Sequence, residues 1–248
     1  MDGRDSLPRP ILFTLTMQFD TLKIAFPTLY IKREESKFIE DTDRKGKTVY
    51  LLKQCEKQHV GLTSLRVGNT ETVAEFSAKI LKEKYPDLLS AETIVQALNN
   101  LKGFGFFLEF DTDEIVNIAH VLKAHPARHV RPAADFATCA KLLTDLHTNT
   151  HYTPTNYKNE TVTFTQNVST TKNREYLKFY NKETEYNLSK NTGYRETLTA
   201  QQKPAVAARF QGVAKVETEL NSKRKLRQYY PGIAPEIWLK DLLYSSRS

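Results

Sequence analysis

Cysteine is scarce: Cys55 and Cys139 are the only two in 248 residues, which excludes a disulfide framework and any zinc-type cysteine spacing. Long apolar runs are missing as well; stretches such as Gly103 to Leu108 are far too short to cross a bilayer as a helix. The opening MDGRDSLPRPILFTLTM lacks the extended apolar region and small-residue cleavage site of a secretory signal. Together these absences predict a cytoplasmic protein. The phosphate-binding GxxxxGK[ST] run is absent, and Gly103-Phe104-Gly105 does not continue to the third glycine of a dinucleotide fingerprint, which argues against ATP-driven or NAD-dependent chemistry.

What is present is an average globular composition, 40% hydrophobic, 26% charged and 10% aromatic, enough for a sizeable core. The net charge of +7 is unevenly placed. Residues 151–248 hold 16 Lys and Arg against nine Asp and Glu, an excess equal to that of the whole chain. A basic surface in that part makes DNA or RNA the first suspected partner.

Patterning predicts an α+β fold with a largely antiparallel sheet and flanking helices. Residues 1–10 read as a flexible N-terminus and 11–248 as a single domain of two halves, 11–150 and 151–248. Strands are expected from Ile11 to Leu29, broken by Pro27, then at Val49–Cys55 and Val60–Val67, with an exposed turn or hairpin loop between. A helix is expected from Thr70, carrying Val73, Phe76, Ile80 and Leu81 to a stop near Pro86, and a second one capped by Ser90. Gly103 to Phe110 reads as a buried strand, Asp113 to Lys123 as a short helix, and Pro132 to His147 as a longer one. Then come paired strands in Glu160–Val168 and Glu175–Lys182 around a turn at Ser169–Asn173. A weak helix at Gln201–Phe210, a strand at Gly212–Asn221 and a helix at Pro235–Tyr244 follow. His125 and His129 lie four apart, but Pro126 between them spoils a helical metal pair, so a loop is expected there.

Three clusters carry chemistry. If a strand runs through Lys182, side chains of period two place Lys178, Tyr180 and Lys182 on one face, a tyrosine between two ammonium groups. Lys215, Glu217 and Glu219 share a face in the same way, their carboxylates about 7 Å apart, and hard oxygen ligands of this kind suit Mg²⁺ or Mn²⁺. Glu109 and Asp111 form another acidic pair at a strand end. The run Lys223, Arg224, Lys225 and Arg227, with Lys178 and Lys215, offers phosphate contacts. Tyr229, Tyr230 and Trp238 are candidates for base stacking, although core packing is the commoner use of such residues.

The stretch from Thr161 through Tyr180-Asn181-Lys182-Glu183-Thr184-Glu185, followed by Ala214 to Leu220, resembles the filamentous-phage gene II/X replication initiators and, more distantly, Rep-trans plasmid rolling-circle initiators. Tyr180, Lys182 and Glu185 meet their Tyr-x-Lys-x-x-Glu motif. Phe19 to Ile24 resembles their opening strand and Phe76 to Leu81 a Ser-Pro-Ala-Lys-type segment. Lys215 departs from the family pattern, which has Arg there, and no His-x-His metal pair of the commonest nicking subtype is present. The resemblance implies a Rep-like nicking fold and sequence-specific single-strand cleavage at a replication origin. Tyr180 would be the nucleophile, leaving a 5′-phosphotyrosyl bond and a free 3′-hydroxyl; whether a second tyrosine, Tyr176, acts in termination is left open by the sequence. Mg²⁺ or Mn²⁺ on Glu217, Glu219, Glu109 or Asp111, with Glu185 completing the shell or taking the tyrosine proton, would assist. Partners implied are origin DNA, single-stranded or supercoiled, and a host helicase and polymerase in the host cytoplasm. A non-catalytic DNA-binding replication or copy-control protein and an RNA-binding protein are the alternatives.

Overall fold

The computed structural model describes residues 17–30, 35–52, 60–105, 111–168, 175–233 and 236–245. Glu109, most of the strand expected at Gly103–Phe110 and the Ser169–Asn173 turn lie outside them. Ten strands form one antiparallel sheet. They are β1 (Phe19–Pro27), β2 (Phe38–Thr42), β3 (Thr48–Leu52), β4 (Leu62–Gly68), β5 (Glu71–Ser77), β6 (His120–Val130), β7 (Tyr152–Tyr157), β8 (Thr161–Gln166), β9 (Tyr176–Asn181) and β10 (Ala214–Glu219). Their order across the sheet is β2-β3-β4-β5-β1-β6-β10-β9-β8-β7. No helix among the described residues is long and apolar enough to cross a membrane.

β6 joins the two groups of strands. Its first part pairs with β1, down to Phe19 opposite Pro126, and its last four residues pair with β10 on the other side. The register against β1 slips between Phe19 and Thr21, so Asp20 is an extra residue in a bulge. That slip explains why Phe19 is buried together with Leu22, Ile24 and Phe26, a spacing that strict alternation forbids.

Helices close the apolar surfaces: α1 (Ile94–Lys102), α2 (Thr112–Ile118), α3 (Phe136–Asp145), α4 (Lys182–Asn187), α5 (Thr192–Glu196), α6 (Gln202–Phe210), α7 (Lys223–Tyr229) and α8 (Leu239–Tyr244). Most of them enclose the larger core around Phe19, Phe76, Leu98, Phe210 and Leu242. α3 covers a smaller one made by Val162, Phe164, Phe179, Ala214 and Ala140, in which the Phe136 and Phe179 rings stack at 4.8 Å.

Several expectations are corrected. The apolar residues from Thr70 onward form β5 and then a 3-10 segment, Ala78–Asp87, broken at Lys82 (φ 54°); Val73, Phe76 and Ile80 have helical spacing, but β5 lies inside the sheet with Val73, Ala74 and Phe76 buried on both of its faces, and β-branched Thr72 and Val73 favour the strand. The expected loop before Val49 contains β2, and its turn is held by Asp43, whose carboxylate accepts from the amides of Lys45 and Lys47 at 2.8 and 2.9 Å. The helix from Asp113 stops at Ile118, and the chain becomes β6. The loop expected at His125–His129 is therefore a strand. Pro126 is tolerated because it sits opposite the β1 bulge, where β6 exchanges one partner strand for the other and a missing donor costs little. The helix expected from Pro132 begins only at Phe136, where Asp135 caps it, and the helix expected from Pro235 begins at Leu239. β7 is an addition to the expected strands: Tyr152 to Tyr157 alternates half-buried and exposed along an edge.

Candidate active site

Pairing register assembles the site. Across the sheet Thr161, Tyr180, Lys215 and His129 form one row, and Thr163, Lys178, Glu217 and Ala127 the next. Paired residues share a face, so one side of this half of the sheet is polar while Val162, Phe164, Phe179 and Ala214 lie beneath α3. The strand does not continue through Lys182: Asn181 caps α4 by accepting from the Thr184 amide at 3.1 Å, and Lys182 is the first helical residue. Its ammonium still turns back to within 5.8 Å of the Tyr180 ring centre.

Tyr180 Oη donates to Glu217 Oε2 at 3.1 Å. The other carboxylate oxygen meets His125 Nδ1 at 3.1 Å, and His125 Nε2 meets Asn221 Oδ1 at 3.1 Å. Asn221 in turn donates to Glu219 at 3.3 Å, and Lys178 pairs with Glu219. Lys215 is fully buried, 3.2 Å from Glu217 and ion-paired with Asp20, which the β1 bulge aims inward. Its ammonium stands 5.6 Å from the Tyr180 ring centre.

These charges fix each other's ionisation. Burial raises the Glu217 carboxyl, but the Lys215 ammonium and the His125 hydrogen bond outweigh it, so the group is held well below the ordinary range. Burial lowers Lys215, while Asp20 and Glu217 more than restore it, and it stays charged. Burial, and then the Glu217 anion, push the Tyr180 phenol well above its usual value, so the resting tyrosine is a neutral donor. Lys182 is pulled down to about 8 by burial and by Lys215, against the opposing pull of Glu185. Glu185 would be raised by burial, but Lys182 and Asn191 bring it to about 2.

A cavity of about 260 Å³ opens onto Tyr180, lined among others by Thr161, Thr163, Lys178, Glu185, Lys190 and Glu217. Below its rim, the ligand atoms of His125, Glu217 and Glu219 lie within 4.8 Å of one another. One imidazole nitrogen and two carboxylates make a donor set suited to Mn²⁺ and acceptable to Mg²⁺. Each carboxylate keeps lone pairs beyond those its donors use, but both His125 nitrogens face acceptor oxygens, Glu217 Oε1 and Asn221 Oδ1, so the group fits a divalent ion once His125 exchanges one of these hydrogen bonds for it.

The structure thus brings Tyr180, Lys178, Lys182, Lys215, Glu217 and Glu219 together. Glu185 is close behind, its oxygens taken by Lys182 at 2.7 Å and Asn191 at 2.9 Å, apart from the His125 group. Asp111 is spent elsewhere, capping α2 by accepting from the amides of Asp113 and Glu114. Lys215 has no exposed surface and acts as an internal counter-ion instead of the expected DNA contact. Tyr176 faces Glu219 in register. The basic run forms α7, which starts two residues after Asn221. Lys225 reaches Gln166 at 3.1 Å and Glu175 at 3.5 Å, Lys223 reaches Glu236 at 3.4 Å, and Arg224 and Arg227 are exposed. Tyr230 is buried, and Trp238 leans on His120 at 3.9 Å between ring centres. Sequence reasoning misses His125 and Asp20 as site residues; the alternation His125, Ala127, His129 is the one signal for the first, and Pro126 masks it. No protein-family model and no curated protein matches the chain.

Proposed function

We propose that this protein is a DNA-nicking strand transferase that opens one strand at a replication origin for rolling-circle synthesis, with Tyr180 as nucleophile. The observation that carries the reading is the Tyr180 hydroxyl at a small open cavity, hydrogen-bonded to an anionic Glu217 and bracketed by the Lys182 and Lys215 ammonium groups. A phenol of high pKa attacks only if its proton is drawn off as the new bond forms. Glu217 orients the hydroxyl and lies along the proton's path. The two ammonium groups stabilise the charge that develops on the phenolate oxygen and on the phosphorane.

The step balances as a transesterification. The Tyr180 oxygen forms a bond to phosphorus, the bond from phosphorus to the 3′ oxygen breaks, and that oxygen takes up a proton to leave a 3′-hydroxyl. The bond energy is kept in the phosphotyrosyl link, so rejoining requires no outside energy source. His125, Glu217 and Glu219 would hold Mg²⁺ or Mn²⁺, which polarises a phosphoryl oxygen when bound. α7 borders the site with exposed Arg224 and Arg227, a placement suited to phosphates beside the cleaved one.

The test is incubation of the protein with supercoiled DNA carrying its own replicon's origin and Mn²⁺, wild type against Tyr180→Phe. Relaxation and a covalent protein–DNA adduct in the wild type alone are expected. Equal behaviour of the two proteins would discard Tyr180 as nucleophile and leave a DNA-binding protein without cleavage.

A further inference from the structure

The polar face continues outward from Tyr180 to the edge of the sheet. Tyr157, Thr161 and Tyr180 occupy a single row across β7, β8 and β9. The adjoining rows of this face carry Thr155 with Thr163 and Thr153 with Thr165; the Thr153 hydroxyl donates to Asn167 Oδ1 at 2.7 Å, which leaves the hydroxyls of Thr155, Thr161, Thr163 and Thr165 to pave the two outer strands. Tyr157 is 57% exposed, with no core to fill, and the turn that follows it projects Lys158. That turn is tight: Lys158 and Asn159 both have positive φ, 53° and 54°, as in the two-residue hairpin turns that match strand twist. Asn159 accepts from the Asn156 side chain at 3.0 Å and its own amide donates to Asn156 at 3.0 Å, which fixes the tip. The two residues after it, Glu160 and Thr161, line the Tyr180 cavity.

We propose that the β7–β8 hairpin is a guide for unpaired DNA, with Tyr157 stacking on a base, Lys158 taking a neighbouring phosphate, and the threonine hydroxyls donating along the backbone. The inference rests on the nicking function proposed above and adds the substrate's path. Two strand spacings put Tyr157 about 10 Å from Tyr180. At a stacked minimum of about 3.4 Å per nucleotide, the stacked base lies within about three nucleotides of the attacked phosphodiester. An aromatic face accepts any base, and hydroxyl and ammonium donors suit phosphate oxygens. A duplex keeps its bases stacked inside and cannot offer one to Tyr157, so the guide selects unpaired strands. Lys178 and Lys190 on the cavity rim continue the cationic track.

The experiment uses the full chain carrying Tyr180→Phe, so that binding is read without cleavage. Fluorescence anisotropy with labelled oligothymidylate gives the affinity, and a duplex of similar length is the control. Adding Tyr157→Ala is expected to weaken oligothymidylate roughly 5- to 150-fold, Tyr157→Phe to retain it, and the duplex to respond to neither. Lys158→Ala is expected to reduce the slope of log affinity against log salt by about 0.7. Tyr157→Ala binding within twofold of its parent, or equal losses on duplex and single strand, would overturn the guide. If oligothymidylate binding depends on Tyr157 while the Tyr180 protein forms no adduct on origin DNA, the guide stands and the nicking reading falls. Failure of the parent to bind any single strand removes both.

Discussion

Asn191 and Lys182 close on the same carboxylate, one at each of its oxygens. Asn191 gives its amide to Glu185 Oε1 at 2.9 Å, and Lys182 gives a proton to Oε2 at 2.7 Å. Lys79 supplies the outer end of the chain, donating to Asn191 Oδ1 at 2.7 Å. Because an ammonium only donates, the Asn191 amide is oriented from both sides. The carboxylate so held keeps the Lys182 ammonium facing Tyr180 and the Tyr85 hydroxyl.

Glu185→Gln tests that arrangement through acid stability. A carboxyl lowered from 4.5 to about 2 in the folded state contributes stability that is complete above about pH 4.5 and lost as pH falls through about 2. The wild-type advantage over Glu185→Gln, of order 3 kcal/mol, is therefore expected to stay flat from pH 7 to 5 and to be all but gone at about pH 2. Urea unfolding at several pH values measures it; a constant difference down to pH 2 would refute the assignment.

Lys215→Met removes the cation shared by Asp20 and Glu217 and leaves the buried Glu217 and half-buried Asp20 carboxylates without it. A loss of about 3–5 kcal/mol is expected, read as a lower denaturation midpoint. The triple change with Asp20→Leu and Glu217→Leu is expected to recover part of it, since the apolar trio carries no charge to desolvate but leaves the Tyr180 hydroxyl and His125 Nδ1 without their acceptor, and on the proposed function it abolishes cleavage.

Gly61 has φ +95°, and a Cβ there would lie 2.3 Å from the Ile80 backbone nitrogen. Its carbonyl also accepts from Ser77 at 2.7 Å. Gly61→Ala is expected to destabilise by about 2–4 kcal/mol through strain and displacement of the 3-10 segment, measurable as a drop in Tm.

Arg224→Ala and Arg227→Ala should leave stability within about 0.5 kcal/mol and weaken origin DNA without favouring any sequence. Each phosphate that an arginine no longer neutralises lowers the salt slope by about 0.7 to 0.9. An unchanged slope in the double variant would remove α7 from the interface.

What the sequence discloses is the short-range part. The alternation in Thr161–Gln166, Tyr176–Asn181 and Ala214–Glu219 is legible because one face carries Val162, Phe164, Leu177, Phe179, Ala214 and Val216, and it sets Lys178 on the face of Tyr180 and Glu217 on that of Glu219. The remaining partners depend on long-range register. Asp20 enters through a bulge, which no periodicity announces, and His125 through a strand whose proline imitates a loop. Val73 and Phe76 fit a helix as well as a strand, and only pairing with β1 and β4 decides between them. Lys215 reads as a surface cation until β6, β9 and the neighbouring helices close around it.

If the protein nicks DNA as proposed, β6 also sets the order in which that activity arises. Asp20 comes from a strand on one side of β6, and Glu217 from a strand on the other, almost two hundred positions later in the chain. During synthesis Tyr180 is made well before the strand that supplies its acceptor and counter-ion, and the pocket has no working form until β10 slides in between β6 and β9. On the proposed function an unfinished or half-docked chain would be chemically silent, because the Tyr180 hydroxyl would lack both its acceptor and its counter-ion.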